Sequence, residues 1–454
     1  MDFIDKINEL TEYAKTNLGL DERDEFYVKN RLAEIFLSGA EGAELEDKIY
    51  GELSLPPSAV DEAFHKILKE EGSRAATDWF YDYCVKNMYV KKAVLDKNPR
   101  FDTREGLVVT INKAKPEFRD PKKAKAGNSV DGGFAKCVIC RENEGFGARN
   151  KRNLRTVSIT LGSQPWFWQY SPYGYFSEHG IAVNCEHIPM HVDKSTFYKL
   201  LDFVDLFPHY FIGCNAPLPR IGGSVLAHDH YQGGGEVLPL HRAKIKKYVK
   251  DGEYPAAKIG ILDWPGTVIR ILSGSREDIC GVSEKIRRAW EGYSVPELGL
   301  IAEDKDGVHN AVSPTVIKTA EGYEMNIILR SNITSEKYPD GVFHAHPEFH
   351  SIKKESIGLI EAQGLFILPG RLEEELAEVE RLIAENRPLP PEYDRFKLVY
   401  DETKGLFSSG RFVNVGAAMR AELGSICYRI LENTAVFADD GRFEEFLKKA
   451  GFEL

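Results

Sequence analysis

The residues best suited to chemistry lie in one segment, Gly222-Gly223-Ser224-Val225-Leu226-Ala227-His228-Asp229-His230-Tyr231-Gln232-Gly233-Gly234-Gly235. If it is extended, side-chain alternation puts His228, His230 and Gln232 on one face, about 7 Å between successive members. The glycines on either side let backbone approach a ligand closely and leave N–H groups free, which suits a phosphate-bearing substrate. An imidazole with an ordinary pKa near 6.5 is a nucleophile at neutral pH, and a hydrogen bond at one ring nitrogen fixes the lone pair on the other. Such a group can attack phosphorus. The Gln232 amide can donate to a phosphoryl oxygen without supplying an acidic proton, so it stabilises a phospho-imidazole rather than promoting its hydrolysis. Taken alone, the His-x-His pair reads equally as a metal pair or as two satisfied strand histidines.

Other residue sets invite the same question. Cys137-Val138-Ile139-Cys140 is the one closely spaced pair among seven cysteines; two thiolates at that spacing chelate zinc well, with two imidazoles completing a tetrahedron, although ordinary loop cysteines also look like this. A second His-x-His pair, His344-Ala345-His346, stands well downstream and continues into Pro347-Glu348-Phe349-His350. A duplicated half-domain would produce two such pairs, and so would chance among twelve histidines. Arg149, Arg152, Arg155 and Arg330 are candidates for neutralising a diphosphate, the first three lying close to Gly145 and Gly147, and each reads equally as a surface residue. Lys353, Lys354, Glu361 and Gln363 form either contacts for a phosphate-bearing ligand or a solvated charged face. Trp166 and Trp168 read as core or interface rather than as a sugar platform.

The elements that must hold these residues follow from periodicity. The first hundred residues read as helical: Phe3-Ile4, Ile7, Leu10 and Tyr13-Ala14, then Tyr27, Leu32 and Ile35-Phe36, then Ala59, Ala63-Phe64 and Ile67-Leu68 recur at helical spacing. From Ile111 to Phe134 the chain turns polar and rich in Gly, Pro and Lys, as a surface loop or linker would. Between about 135 and 370, short β-type runs alternate with turns, at 156–161, 180–184, 210–212, 225–227, 267–272, 325–329 and 365–368. A helix with Ser195 as N-cap interrupts them through Phe197, Leu200-Leu201 and Val204. Past Pro369 the pattern is helical again, at Leu372, Leu376, Val379 and Leu382-Ile383, then Met419 to Leu431 and Phe443 to Phe446. The expected fold is α+β, a mixed and mostly antiparallel β core flanked by N- and C-terminal helices. The expected division is 1–110 helical, 135–240 a first half carrying the nucleophile, 241–370 a second half and 371–454 helical.

Composition narrows the class of function. The 454 residues carry 59 Lys+Arg against 70 Asp+Glu, a formal charge of −11, with 43% hydrophobic residues, enough to bury a core. An acidic balance disfavours nucleic-acid backbones as partners, since those complexes draw on excess Lys and Arg. No stretch approaches the roughly 20 apolar residues of a membrane span, and the start, Met1-Asp2-Phe3-Ile4-Asp5-Lys6, has no basic and apolar leader. With an odd, scattered cysteine set, a cytoplasmic location without membrane partners is expected. Dimers are common among oligomeric enzymes, so a homodimer is allowed.

Several stretches together resemble a known family. Phe207-Pro208-His209-Tyr210-Phe211-Ile212-Gly213, Gly222 to Gly234, Ser335-Glu336-Lys337-Tyr338-Pro339-Asp340-Gly341-Val342-Phe343-His344, and the run from Lys353 through Pro369 to Leu372 look like the galactose-1-phosphate uridylyltransferases of the histidine-triad superfamily. The likeness is to the second, Gram-positive type, also called UDP-glucose–hexose-1-phosphate uridylyltransferase. It implies duplicated histidine-triad-like half-domains and a double displacement: UDP-glucose gives its uridylyl group to His230 and releases glucose 1-phosphate, and galactose 1-phosphate takes the group as UDP-galactose. The resemblance further implies that Gln232 holds the phosphoryl oxygen and that Ser224, Gly223 and Asn215 line the uridine and phosphate pocket. Hydrolases and phosphorylases of the superfamily share fold and nucleophile; hydrolases usually place a third histidine where Gln232 stands, so the glutamine argues for transfer. The first type of the family joins a Cys pair to a histidine and to the first His of His-x-His-x-Gln, which here points to a structural zinc on Cys137, Cys140, His187 and His228, with His191 competing for the third place. It binds another metal with a glutamate near the second pair. No glutamate is well placed for that here, so His344 and His346 are either ligands of a second metal or substrate contacts.

Overall fold

A computed structural model describes residues 3–113, 133–223, 225–437 and 439–454. Ser224 and most of the polar stretch expected between Ile111 and Phe134 lie outside the described residues. The chain divides into two compact units: Met1–Val94, Ala126–Met190 and Ala227–Gly235 form one; Leu95–Lys125, His191–Leu226 and Glu236–Leu454 form the other. Strands are numbered in chain order: β1 (Arg100–Asp102), β2 (Val108–Asn112), β3 (Val157–Leu161), β4 (Gln164–Tyr170), β5 (Gly180–Asn184), β6 (Phe211–Gly213) and β7 (His230–Gly234). They continue with β8 (Ile245–Val249), β9 (Lys258–Leu262), β10 (Val268–Ser273), β11 (Glu303–Asp304), β12 (Gly307–Val308), β13 (Asn310–Thr319), β14 (Gly322–Ser331) and β15 (Leu365–Pro369).

The first unit opens with helices Phe3–Leu18, Glu25–Leu37, Gly42–Leu53, Pro57–Glu70 and Ser73–Lys86. The first of these buries Ile7, Thr11, Ala14 and Leu18, the three-and-four spacing of one helical face. Its strands are antiparallel in the order β3, β4, β5, β7. Trp166 and Trp168 of β4 are wholly buried, as expected of core residues, and Trp166 stacks on Tyr231 at 4.7 Å between ring centroids. Tyr231 thus anchors β7 through one face while its neighbours His230 and Gln232 take the other.

In the second unit the antiparallel order is β6, β13, β14, β10, β9, β8. A smaller sheet pairs β1 with β2 antiparallel and β2 with β15 parallel. Helix Leu372–Ala384 buries Leu372, Leu376, Val379, Leu382 and Ile383, the stripe the sequence marks; burying each such side chain is worth about 2 kcal/mol. Helix Val415–Thr434 begins where the Asn414 side chain accepts from the Ala417 N–H at 2.8 Å. The architecture is therefore α+β, with antiparallel sheets and helices toward both ends of the chain.

Three local expectations need correction. The helix expected to start on Ser195 spans Lys194–Leu206 with Asp193 as its N-cap: the Asp193 carboxylate accepts from the N–H groups of Ser195 and Thr196, and the Thr196 hydroxyl accepts from the Asp193 N–H. A charged acceptor of two donors outbids a serine hydroxyl. Helical structure does not run on to 110; β1 and β2 occupy 100–112, where Val108, Val109, Thr110 and Ile111 are β-formers buried on both faces. The apolar run 225–227 is not a strand. The described part of it forms a turn and pairing starts at His230, so His228 stands ahead of the strand rather than on it.

Candidate active site and metal centre

The candidate metal centre is built on a knuckle at Cys137–Cys140. The Asn143 amide donates to the carbonyls of both Cys137 and Cys140 at 2.9 Å, and Lys151 Nζ donates to the Val138 carbonyl at 2.6 Å. Burial, with Arg149 adding to it, pulls the Lys151 ammonium down to about 8. Onto this knuckle converge His187 and His228. Cys137 Sγ lies 3.4 Å from Cys140 Sγ and 3.3 Å from His228 Nδ1, while Cys140 Sγ lies 3.2 Å from His187 Nδ1 and 3.6 Å from His228 Nδ1. All four donor atoms sit within 4.8 Å of one another. A tetrahedral zinc with bonds of about 2.3 Å to sulfur and 2.0 Å to nitrogen has ligand edges of about 3.3–3.8 Å. The four edges at 3.2–3.6 Å lie within about half an ångström of those values.

Two details favour ligation over a chance meeting. His228 Nε2 lies 2.8 Å from the Asn184 carbonyl; a carbonyl only accepts, so Nε2 carries the proton and Nδ1 turns its lone pair to the thiols. The Cys140 thiol is held below its ordinary pKa, first by the Cys137 thiol and also by His228 and His187, against the opposing effect of burial, while Cys140 and burial push the Cys137 thiol up, so the pair gives up one proton readily. His191 does not join the group; its Nε2 stands 3.9 Å from Asp193.

His230 opens β7, and Val183 is its partner across the strand pair. Its Nδ1 donates to the His228 carbonyl at 2.8 Å, so Nε2 carries the lone pair and takes no hydrogen bond among the described residues. Burial pushes the ring down to about 4, with His228 adding to the shift and the carbonyl bond opposing it. A neutral imidazole at physiological pH with one nitrogen committed to backbone is the form a nucleophile needs. Gln232 is two residues on, half-buried and on the same face.

In the second unit, Asn215, Gly223, Arg330 and Gln363 gather around segment 357–363. Asn215 Oδ1 accepts from the Leu359 N–H at 2.8 Å, and a Cβ on Gly223 would meet Asn215 Nδ2 at 2.8 Å. Arg330 is buried and donates through Nη2 to the Ile357 carbonyl at 2.8 Å, while its Nε and Nη1 close no hydrogen bond among the described residues. Burial lowers its pKa to about 10, partly offset by Glu361. Gln363 accepts from the Thr315 hydroxyl at 3.0 Å and leaves Nε2 without a partner among the described residues. These are cationic and amide donors with spare capacity, the equipment for oxygen-rich ligands.

Other expected contacts are placed elsewhere. Lys354 is exposed, whereas Lys353 is buried and donates to Glu361 at 2.8 Å. Arg152 is engaged by Asp47, and Arg155 spends its donors on the carbonyls of Leu55, Arg152, Leu154 and Ser54. Both are structural. The second His-x-His pair does not assemble a metal site among the described residues. His344 Nδ1 donates to the Ala345 carbonyl, His346 Nε2 to the Val342 carbonyl and His350 Nε2 to the Ala345 carbonyl, and the His346 ring stacks on Tyr338 at 4.0 Å. Sequence reasoning missed His179 beside Gln232; residue parity across the β5–β7 pair is the signal that marks it.

Comparison with known proteins bears on what this arrangement belongs to. The family model for the N-terminal domain of galactose-1-phosphate uridyl transferase matches residues 42–189, and that for its C-terminal domain matches 202–393. The chain belongs to the galactose-1-phosphate uridylyltransferase family. Cys137, Cys140 and His187 fall in the first match, His228, His230 and Gln232 in the second. A curated galactose-1-phosphate uridylyltransferase of Bifidobacterium longum subsp. longum is 55% identical over 414 residues, covering 91% of this chain and 80% of the relative. That of Ligilactobacillus salivarius is 38% identical over 466 residues, covering 99% and 90%. Among solved structures, yeast Ap4A phosphorylase Apa2 aligns over 70% of this chain and 90% of its own, at 13% identity and a TM-score of 0.34, too distant to support an argument.

Proposed function

We propose that this chain is a uridylyltransferase that moves UMP from UDP-glucose to galactose 1-phosphate through a covalent uridylyl-His230. The observation that carries the reading is the Nδ1–H of His230 committed to the His228 carbonyl, which leaves Nε2 as the nitrogen able to attack. In the first half-reaction Nε2 bonds to the α-phosphorus of UDP-glucose; the bond from that phosphorus to the bridging oxygen breaks, and glucose 1-phosphate leaves with the oxygen and its electron pair. In the second, a phosphate oxygen of galactose 1-phosphate bonds to the same phosphorus and the N–P bond breaks, returning neutral His230. Gln232 donates to a phosphoryl oxygen throughout. Asn215, Gly223, Arg330 and Gln363 are the substrate contacts of this reading, with Ser224, next to Gly223 in sequence, as a further one.

Zinc is the ion that suits Cys137, Cys140, His187 and His228, because two thiolates and two imidazoles within one tetrahedron are its preferred donors. Its part is structural: it holds the turn before β7 and so the carbonyl that orients His230. Duplicated histidine-triad halves, a cytoplasmic location and a homodimer go with the reading, and among the described residues no helix is long and apolar enough to cross a membrane. Hydrolysis is disfavoured because Gln232 has no acidic proton to give. Initial rates with both substrates varied test the reading: parallel double-reciprocal lines and formation of UDP-galactose support it, whereas UMP release without galactose 1-phosphate refutes it.

A further inference from the structure

The register of β5 and β7 pairs Ile181 with Gln232 and Gly180 with Gly233. His179, two residues before Ile181, is therefore a diagonal neighbour of Gln232 on the same face, within reach of a long side chain. The loop that carries it is clamped to the end of β7. The Gly235 N–H donates to the Ser177 carbonyl at 3.1 Å, the His179 carbonyl accepts from the Ser171 N–H at 2.8 Å, and a Cβ on Gly234, at φ +155°, would stand 2.5 Å from the Glu178 carbonyl oxygen. The ring is wedged between Tyr175, stacked at 4.8 Å and 21°, and Phe176 at 4.5 Å.

His179 Nδ1 accepts from the Tyr175 N–H at 3.5 Å, so the neutral ring carries its proton on Nε2. Burial pulls the ring down to about 3, with the Gln232 side chain partly offsetting it. Nε2 is buried and closes no hydrogen bond of ordinary geometry among the described residues. It is a shielded donor with an amide next to it. That amide has two near-isosteric orientations: one turns NH2 outward, the other turns the carbonyl oxygen outward, where it would repel phosphoryl oxygens.

We propose that His179 is a positioning residue for uridylyl transfer: its Nε2–H donates to Gln232 Oε1 and so turns the Gln232 NH2 toward the phosphoryl group carried by His230. This rests on the reading above, in which Gln232 contacts that group. The bond selects an orientation and touches no substrate, so its loss lowers the rate of transfer more than the affinity for UDP-glucose.

The experiment is single-turnover labelling of the full-length protein with uridine-labelled UDP-glucose. His179→Phe keeps an aromatic ring for the Tyr175–Phe176 stack and removes the donor; the labelling rate falls about tenfold, equivalent to ~1.4 kcal/mol, with KM for UDP-glucose within about twofold and no loss in melting temperature. His179→Gln, whose amide reaches the Nε2 position, restores the rate to within about threefold of the parent, whereas His179→Asn, whose shorter amide reaches only Nδ1, stays low. In a Gln232→Ala background His179→Phe has no further effect, because its target is gone. A purely steric role predicts the opposite order, Phe above Gln. Labelling of His179→Phe at the parental rate, or losses from His179→Phe and Gln232→Ala that multiply, overturns the proposal. If the Phe variant fails to fold, equal rates in the Gln and Asn variants overturn it instead. A parent that takes up no label refutes the transfer reading itself, a failure distinct from parental labelling with an indifferent His179.

Discussion

Cys140→Ser is the perturbation whose size the structure lets us work out. Cys140 Sγ touches Cys137, His187 and His228, so the change removes a ligand in contact with all three others. A metal shared by these residues closes loops of 47 residues from Cys140 to His187 and 91 from Cys137 to His228. Treated as a chain-entropy cross-link, closing a loop of that longer length is worth about 4.6 kcal/mol, and the shorter about 4 kcal/mol. The loops overlap and the sum overcounts, so the expected loss is ~4 kcal/mol, which for a unit of this size moves a calorimetric transition by about 10 °C. The assay is metal content by mass spectrometry on the same preparation used for calorimetry. The parent should hold close to one zinc per chain and the variant much less, with its transition lowered by about that amount. A variant that melts within 2 °C of the parent, or a parent that melts identically with and without metal, would refute the reasoning.

Other outcomes follow from the same structure. His344 is buried and held down to about 4, first by burial, with Arg330 and His350 adding to it. In the unfolded chain it titrates near 6.5, so between those values the unfolded state binds the extra proton. Its contribution of about 3 kcal/mol is complete above about pH 6.5 and is lost as the pH falls toward 4; denaturant titrations of the parent and of His344→Gln should diverge over that window, and parallel curves would contradict the assignment. Arg152→Met breaks the pair with buried Asp47 and should cost about 3 kcal/mol of stability while leaving KM for UDP-glucose unchanged; a raised KM at unchanged stability would return Arg152 to the diphosphate. Asp193→Ala should cost about 1 kcal/mol through the lost cap of Lys194–Leu206, measured by urea denaturation, whereas Ser195→Ala should cost less.

Much of the site can be read from residue types because ligation and nucleophilic attack depend on few atoms. Cys137 and Cys140 declare themselves by spacing, and the family resemblance supplies His187 and His228. The helical stripe at Leu372–Ile383 is equally plain, since amphipathic periodicity persists over three turns. What escaped was decided by context. Asp193 and Ser195 are both good caps, and only backbone geometry chooses between them. Val225-Leu226-Ala227 has strand composition but no strand, because the chain turns there to send His228 to the thiols. Arg152 and Lys354 look like phosphate ligands until a partner for the first and an outward face for the second become visible. His179 has no motif; it matters through register, and register appears only when two strands pair.

The most direct test of the account is to expose the full-length protein to uridine-labelled UDP-glucose without acceptor, digest it, and locate the label. The account predicts one base-stable, acid-labile label per chain on the peptide containing His230, discharged by galactose 1-phosphate and absent from His230→Asn. Label on any other residue, or galactose 1-phosphate-dependent exchange that survives in His230→Asn, would contradict it.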